Sequence, residues 1–390
     1  MAKESKTHCI GILTSGGDCP GLNAAIRAVT KTAINEYGMD VIGFNDGFRG
    51  LVENRTIHLE NKDVSGILTD GGTILGTSRD KLHKMPMGNS RMDMTEVAVE
   101  NIEKNHVECL VCLGGNGTQK NALRLNQAGV NVITLPKTID NDVLETDITF
   151  GYDTATQIAT DAIDRLHTTA TSHHRIIVCE IMGNKTGWLT LAAGIAGGAD
   201  VILIPEIPYD TQIVADYILE RRRKGSRFSI IAVAEGALSV KDAASQAASA
   251  KQTKKKTKAA EPKEIDPKSA VVQKRSEGSE FFYHIVEEPI ASRVARQLQE
   301  LTKIEARVTS LGHVQRGGAP SAFDRTLCTM MGAKASQLLA EGTYNVMVGY
   351  SAGKCFAVPL EKVAIGRKTV PMDNPLISSA RLLGTCFGDK

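Results

Sequence analysis

Two carboxylates separated by one residue, Asp140 and Asp142, are candidates for acid–base and metal chemistry. They lie in the stretch PKTIDND, residues 136–142, directly after an apolar run at residues 130–135 that predicts a buried parallel strand. Ligands of open α/β sheets bind at the carboxyl ends of the strands. One carboxylate could therefore act as a base and the other as a metal ligand. The alternative is a polar loop in which both aspartates cap turns.

Glycine-rich turns precede this stretch and favour an anion as the ligand. TSGGDCPG at residues 14–21 and GGNGT at residues 114–118 each lie between an apolar strand and a helical pattern. Such turns aim backbone N–H groups and a helix N-terminus at a phosphate, and Lys137 and Thr138 would face the same anion. Neither turn matches the P-loop or the dinucleotide-binding pattern. Simple tight turns between two elements are the alternative.

Cationic side chains downstream suit a phosphorylated small substrate. Arg175, Arg307, His313 and Arg316 each lie just before or just after a predicted strand. Guanidinium groups bind phosphate through paired hydrogen bonds, and a histidine can donate another. A scattered set of surface charges is the alternative interpretation.

The elements that must position these residues alternate between strand and helix, which predicts an α/β fold. We expect two similar doubly wound lobes with mostly parallel sheets and an active site in the cleft between them. Residues 1–150, with the two glycine-rich turns, and residues 151–342, with the cationic side chains, are predicted to form the two lobes, while residues 343–390 return to pack on them. An Ala- and Lys-rich segment at about 241–279 interrupts the second lobe and predicts an exposed insertion.

Composition narrows the possible partners. With a net charge of +2 over 390 residues, no overall field for binding polyanions is expected, and the lysine-rich segment lacks interleaved aromatic residues. We therefore predict no nucleic-acid partner. No apolar run approaches the roughly 20 residues of a membrane span, so no membrane partner is predicted. The eight cysteines form no dense framework, which favours reduced thiols in a cytoplasmic protein.

Five motifs together resemble the 6-phosphofructokinase family. The resemblance covers roughly residues 8–235 and 290–342, and the motifs stand in the family's order and spacing. They are TSGGDCPGLNAAIR (residues 14–27), GGNGT (114–118), PKTIDND (136–142), Met182-Gly183 and LGHVQRGGAP (311–320). The resemblance implies transfer of a phosphoryl group to the 1-hydroxyl of fructose 6-phosphate, with Mg²⁺ as cofactor.

The same resemblance implies roles for individual residues. Asp140 falls where the family has its catalytic base, Thr138 where it contacts the transferred group, and Asp142 near magnesium. Lys137 completes the catalytic set, and Asn116 is a weaker candidate for the metal. Donor-binding positions are Gly17, Arg79, Gly115, Asn116, Gly117 and Thr118. Sugar-phosphate positions are Arg175, Met182, Gly183, Glu235, Arg307, His313 and Arg316. An arginine of the Arg175 and Arg307 kind reaches across from a neighbouring subunit in the family, which implies a homo-oligomer, either a dimer or a tetramer.

Departures from the family pattern leave the phosphoryl donor open. Asn116 stands where many members have aspartate, and Asn184 where an arginine often stabilises the transferring group. Lys137 is typical of pyrophosphate-using and related long-chain branches. Gly117 points the other way, because pyrophosphate users usually carry an aspartate there that fills the space of the nucleotide α-phosphate. We predict ATP as donor, with pyrophosphate as the alternative.

Two other functions compete with this interpretation. A kinase acting on NAD or a lipid would share the GGNGT-like turn but would leave Arg307, His313 and Arg316 unexplained. A catalytically silent regulatory subunit would explain Asn116 and Asn184 but not the retained aspartates.

Overall fold

The chain folds around two sheets of mainly parallel strands. The computed structural model describes residues 3–245 and 288–389. Up to the end of the catalytic stretch its elements are β1 (Cys9–Ser15), α1 (Leu22–Tyr37), β2 (Asp40–Phe44), α2 (Phe48–Val52), β3 (Thr56–His58), β4 (Met85–Met87), β5 (Ser90–Met92), α3 (Thr95–Lys104), β6 (Cys109–Gly114), α4 (Asn116–Gln127) and β7 (Val132–Pro136).

The described elements after that stretch repeat the alternation and then return to the first sheet. They are α5 (Tyr152–His173), β8 (Ile176–Ile181), α6 (Trp188–Ala196), β9 (Val201–Leu203), α7 (Thr211–Arg223), β10 (Ser229–Ala234), α8 (Ile290–Thr302), β11 (Ala306–Ser310), α9 (Ala322–Glu341), β12 (Val346–Ser351), β13 (Lys354–Pro359), α10 (Leu360–Ala364) and α11 (Pro375–Leu382).

In the first sheet, three neighbouring strands end at the same level. The strand order is β13-β12-β7-β6-β1-β2-β3, and β1, β6 and β7 pair in parallel. Their register sets Ser15 beside Gly114 and Gly114 beside Pro136. These strands are almost wholly apolar because helices cover both faces of the sheet. The loops that follow them therefore leave the sheet side by side at one edge.

The second sheet uses the same principle with four parallel strands in the order β11-β8-β10-β9. Ile181 lies beside Ala234, and Ser310 lies beside Glu180, so β8, β10 and β11 also end together. The loops at these ends face the loops of the first sheet. The predicted fold class, α/β with two mostly parallel sheets around a cleft, is thereby confirmed.

A buried carboxylate joins helices on either side of the cleft. Asp324 of α9 accepts hydrogen bonds of 2.9 Å from the backbone N–H groups of Gly151 and Thr154 at the start of α5. These N–H groups have no partner within their own helix, and a negative charge at a helix N-terminus is favourable. Asp324 is fully buried, so these hydrogen bonds replace the ones that its carboxylate would otherwise make with water.

The C-terminal segment contacts both sheets. β12 pairs in parallel with β7 and antiparallel with β13, which extends the first sheet by two strands. Farther along, Cys386 bridges to Val201 of the second sheet. The domain boundaries given above remain predictions. The predicted insertion at 241–279 lies outside the described residues except for 241–245.

The fold buries two of the cysteines, Cys109 and Cys112, on the two faces of the first sheet. Cys109 and Cys112 lie on one strand and pack into two different apolar clusters on opposite faces of the sheet. Burial raises the pKa of both thiols, which disfavours the thiolates that a metal would need. Among the helices of the described residues, none is long and apolar enough to cross a bilayer.

Candidate active site

The facing loops of the two sheets enclose a cavity of about 650 Å³. Most of the residues selected from the sequence line this cavity, although they come from seven separate segments of the chain. They are Gly17, Arg79, Gly115, Asn116, Gly117, Thr118, Lys137, Thr138, Asp140, Asp142, Met182, Glu235, His313 and Arg316. The cavity size suits a nucleotide or a sugar phosphate, and its polar lining suits charged ligands.

The loop after β7 is held in place by its own hydrogen bonds. The backbone N–H of Asp140 donates to Thr138 Oγ1 at 3.1 Å, and Thr149 Oγ1 donates to the carbonyl of Thr138 at 2.7 Å. Asn141 has φ +50°, a region that asparagine tolerates better than most residues. Its side-chain oxygen accepts from the N–H of Thr149 at 3.1 Å. This local geometry fixes the two aspartates on either side of Asn141.

Asp140 is suited to accept a proton. Burial raises the pKa of its carboxyl to about 6, with a further contribution from the nearby charge of Asp142. A base with a pKa close to neutrality is ionised at physiological pH and still has substantial proton affinity. Asp140 therefore has the properties of a general base at the junction of the two halves of the cavity.

Lys137 connects this loop to the first glycine-rich turn. Its side chain is buried, and its ammonium group donates to the carbonyl of Gly17. Burial lowers the pKa of Lys137, while Asp18 and Asp140 partly offset that effect. A buried cation beside free backbone N–H groups is an anion-binding arrangement.

Arg316 reaches from the second lobe to the same turn. A β-carbon at Gly17 would lie 1.8 Å from Arg316 Nη1, so glycine permits the guanidinium to approach the backbone. Within the part of the chain that the structure describes, Arg316 Nε is buried and has no hydrogen-bond partner. Its position between the lobes allows it to contact a group transferred from one side to the other.

The turn after β6 presents the start of α4 to the cavity. Helix α4 begins at Asn116, and the first N–H groups of a helix are free to bind phosphate. Among the described residues, and apart from its chain neighbours and the backbone of α4, no atom lies within 4 Å of the position that a β-carbon of Gly117 would occupy. The space in front of Gly117 is therefore open to a donor larger than pyrophosphate.

Oxygen atoms suitable for Mg²⁺ meet where α4 approaches the loop after β7. Asn116 Nδ2 donates to the carbonyl of Asp142 at 3.1 Å, and Asn116 Oδ1 is buried with no hydrogen-bond partner among the described residues. Mg²⁺ prefers oxygen ligands and commonly uses one or two carboxylates together with substrate phosphates. Within residues 3–245 and 288–389, no group of three or more His, Cys, Asp or Glu side chains could hold a metal alone. The arrangement fits a cation that arrives with the donor.

Sequence reasoning missed Arg367, which lines the cavity from the C-terminal segment. Arg367 Nε lies 2.9 Å from Asp142 Oδ2, and Asp142 itself is 4% exposed. Burial raises the pKa of Asp142, and the charge of Arg367 opposes this shift. The only signal in the sequence is a pair of adjacent cations after Gly366, which is too weak to assign to a site 225 residues away.

The acceptor side is formed by the ends of β8, β10 and β11. Glu235 Oε1 accepts from the backbone N–H of Asn184 at 2.7 Å, which connects the loops after β8 and β10. Met182 and the exposed His313 line the same side. Gly183 has φ +150°, and a β-carbon there would lie 2.6 Å from the carbonyl oxygen of Thr186, so glycine is required for this turn. Gly183 shapes the loop without itself lining the cavity.

Arg175 and Arg307 lie elsewhere. They stand at the amino ends of β8 and β11, whereas the cavity is at the carboxyl ends. Arg175 Nε donates to Glu305 at 2.7 Å, and Arg307 forms an ion pair with the same carboxylate. Neither is among the described residues that line the cavity. The fold of one chain therefore does not bring these two cations together with His313 and Arg316.

Comparisons with known proteins agree with this architecture. The sequence profile described as phosphofructokinase matches residues 9–339. An ATP-dependent 6-phosphofructokinase of Propionibacterium freudenreichii subsp. shermanii is 52% identical over 97% of this chain and 99% of its own length. An enzyme of the same name from Spirochaeta thermophila is 50% identical over 99% of both chains. A pyrophosphate-dependent phosphofructokinase structure from Marinobacter aquaeolei has a TM-score of 0.74 at 17% identity, covering 97% of this chain and 88% of that one, which is a likeness of fold. The resemblance noted in the sequence is confirmed, and the chain belongs to the phosphofructokinase family.

Proposed function

We propose that the protein is an ATP-dependent 6-phosphofructokinase. It transfers the γ-phosphoryl group of ATP to the 1-hydroxyl of fructose 6-phosphate and forms fructose 1,6-bisphosphate. The observation that carries this proposal is Asp140, a carboxylate with a pKa of about 6 between a phosphate-binding half and a second half of one cavity. The names of relatives with about half of their residues identical support the same activity.

In this proposal Asp140 accepts the proton of the sugar hydroxyl as its oxygen attacks the γ-phosphorus. The bond between the γ-phosphorus and the bridging oxygen breaks, and ADP carries that oxygen away. Lys137, Thr138 and the first N–H groups of α4 bind the phosphates on the donor side. Arg316 lies beside Gly17 and contacts the transferring group from the acceptor side. Such positioning, rather than a protein nucleophile, supplies most of the catalysis in phosphoryl transfer.

We assign the Mg²⁺ site to Asp142, with the unpartnered oxygen of Asn116 as a second ligand. When bound there, Mg²⁺ would neutralise charge on the donor phosphates.

Two observations address the choice of donor. The open space in front of Gly117 accommodates the α-phosphate and nucleoside of ATP. Lys137 donates to the carbonyl of Gly17, so it compensates phosphate charge without occupying the space beyond the turn. Fold alone does not discriminate, because a pyrophosphate-dependent relative has the same architecture. ATP is therefore the proposed donor and pyrophosphate the alternative.

We also propose that the active enzyme is a homo-oligomer, a dimer or a tetramer. Arg175 and Arg307 lie on the surface away from the cavity of their own chain, with 26% and 61% of their side chains exposed. In an oligomer they would bind the 6-phosphate in the cavity of a neighbouring subunit. We further propose that the protein is cytoplasmic, because its eight cysteines form no dense framework and are expected to stay reduced.

A coupled assay tests the activity. Purified protein is given fructose 6-phosphate and Mg²⁺ with either ATP or pyrophosphate, and kcat/KM is measured for each donor. The proposal requires ATP to be preferred, and a preference for pyrophosphate above tenfold would reverse the donor assignment. Absence of turnover with both donors would favour a silent subunit. Phosphorylation of NAD or a lipid in place of the sugar would favour the other kinase class.

Mixing two impaired variants tests the shared site, with fructose 6-phosphate held below the KM of Arg175→Ala. Asp140→Asn removes the base of a subunit, and Arg175→Ala removes the cation that the subunit lends to its neighbour. If the site is shared, denaturing and refolding the two variants together restores activity, because some cavities combine Asp140 from one chain with Arg175 from another. If each site belongs to one chain, the mixture shows no more than the average activity of its two components.

A further inference from the structure

The ion pair between Arg367 and Asp142 has no place in the mechanism described above. Arg367 Nε lies 2.9 Å from Asp142 Oδ2, at a carboxylate that is itself 4% exposed. The arginine side chain is 31% exposed and lines the same cavity as the donor-binding turns. A single carboxylate is therefore shared between a resident cation and the proposed metal site.

We propose that Arg367 forms its ion pair with Asp142 in the ligand-free protein and gives up this carboxylate to the divalent cation that enters with the donor. The released guanidinium then contacts the donor phosphates. Metal binding and donor binding are coupled through this exchange. The inference rests on the proposed role of Asp142 as a metal ligand.

The backbone around Arg367 is fixed, so that only its side chain needs to move. The N–H of Lys368 donates to the carbonyl of Asp142 at 2.8 Å, and the N–H of Val370 donates to Glu206 at 3.0 Å. The ammonium group of Lys368 donates to the side chain of Asn141 at 3.0 Å and to the carbonyls of Thr146 and Asp147, each at 2.9 Å. The segment is thus attached directly after Arg367, at Lys368 and Val370. The side chain of Arg367 is 31% exposed and lines the cavity, so its guanidinium has room to move away from Asp142 into the cavity.

Electrostatics explains why the exchange is required. A carboxylate this buried is unfavourable without a partner, and Arg367 supplies one when the cavity is empty. A divalent cation at Asp142 would be repelled by a guanidinium in contact with the same carboxylate. Asn116 adds an oxygen but no charge, so Asp142 cannot balance both cations. Donor phosphates provide the additional negative charge, which the freed guanidinium can bind through paired hydrogen bonds.

Metal affinity without turnover tests the proposal. The ligand-free protein is titrated with Mn²⁺, and free Mn²⁺ is measured by electron paramagnetic resonance. Arg367→Gln should bind Mn²⁺ about tenfold more tightly than the wild type, because a charged hydrogen-bonded competitor has been removed. A non-hydrolysable ATP analogue should raise Mn²⁺ affinity in the wild type and raise it much less in the variant.

Arg381→Gln is the matched control. Arg381 also pairs with a carboxylate, Asp389, and its side chain is 29% exposed, but it lies outside the cavity. This variant should keep the wild-type Mn²⁺ affinity and the wild-type response to the nucleotide analogue. If Arg367→Gln fails to fold in a thermal melt, Arg367→Lys replaces it; this variant is read with Arg367→Met, which keeps the length of the side chain but loses its charge and should bind Mn²⁺ more tightly, whereas the cationic lysine variant should bind it close to the wild-type affinity.

Asp142→Asn separates failure of this inference from failure of the metal assignment. Loss of Mn²⁺ binding in Asp142→Asn, with unchanged affinity in Arg367→Gln, would leave Asp142 as the ligand and overturn the role of Arg367. Unchanged Mn²⁺ binding in Asp142→Asn would overturn the metal assignment itself. A tighter site in Arg367→Gln that depends on Asp142 is the result that the proposal requires.

Discussion

The donor and acceptor halves of the cavity are both built by loops at the carboxyl ends of parallel strands. One chain brings all the selected donor-binding residues to the cavity, but only some of the selected acceptor-binding residues. On the donor side, β1, β6 and β7 end level, and every residue selected for donor binding lies at the cavity. On the acceptor side, β8, β10 and β11 also end together, but Arg175 and Arg307 lie at the opposite ends of their strands. A parallel sheet gathers only those side chains that follow its strands.

This comparison separates two ways of completing a site. The donor half is assembled by local turns whose backbone groups need no other chain. The acceptor half has its cavity within one chain, while two of its candidate cations lie on the surface away from that cavity. Changes on the donor side should therefore act in any assembly state, and changes at Arg175 should depend on assembly.

The largest effect is expected from Asp140→Asn. Loss of the proposed base should lower kcat by about 10²–10⁴-fold and leave fructose 6-phosphate affinity nearly unchanged, because the amide is close in shape to the carboxylate. Steady-state kinetics and equilibrium binding measure the two quantities. A variant that keeps more than about a tenth of wild-type turnover would exclude Asp140 as the base.

Gly117→Asp should come next. The carboxylate would enter the open space in front of α4 and repel the α-phosphate, so kcat/KM for ATP should fall by about 100-fold, or ~2.7 kcal/mol. Gly117→Ala is the control, since a methyl group adds bulk without charge and, among the described residues outside its own helix, meets no atom within 4 Å. A similar loss in both variants would attribute the effect to bulk and not to charge. Weak pyrophosphate activity in Gly117→Asp would further support residue 117 as the position that selects the donor.

Arg175→Ala should raise the KM for fructose 6-phosphate by about 10–100-fold with a smaller change in kcat, because a charge-assisted contact to the 6-phosphate is lost. Arg223→Ala removes an exposed arginine at the end of α7 and should leave KM unchanged. If Arg175→Ala has the KM of the wild type, Arg175 does not bind the 6-phosphate, and the proposed need for a second chain in the acceptor half is contradicted.

The smallest effect concerns stability and involves no ligand. The pKa of Asp140 is about 6 in the folded protein and near 3.8 when unfolded, so its ionised form destabilises the fold above pH 6. A shift of about two units corresponds to nearly 3 kcal/mol, which partial exposure reduces to about 1–2 kcal/mol. Asp140→Asn should therefore have a higher free energy of unfolding at pH 8, and the difference should vanish as the pH falls from 6 to 4.

Denaturant unfolding at several pH values measures this difference. Asp142→Asn provides the contrast, because its carboxylate is paired with Arg367 and its replacement should give no comparable gain. A pH-independent difference between wild type and Asp140→Asn would contradict the raised pKa.

The sequence by itself determined the elements and the loops that bear the chemistry. The apolar runs at residues 176–181 and 229–234 predict strands that match β8 and β10, and helical spacing over residues 22–37 predicts a helix that matches α1. Because parallel strands with short loops deliver the next residues to one edge, the motif PKTIDND was expected beside the glycine-rich turns. These are local properties of the chain, and they can be read without knowing how distant segments pack.

Only the tertiary structure decided which distant residues share a contact. Arg367 reaches Asp142 because β12 and β13 extend the first sheet and return the C-terminal segment to the cavity. Arg175 and Arg307 are near motif residues in sequence, yet they lie a strand length away from the cavity. Contacts of this kind depend on which end of a strand a residue occupies and on packing between remote segments. No local pattern of charge or hydropathy encodes either of these.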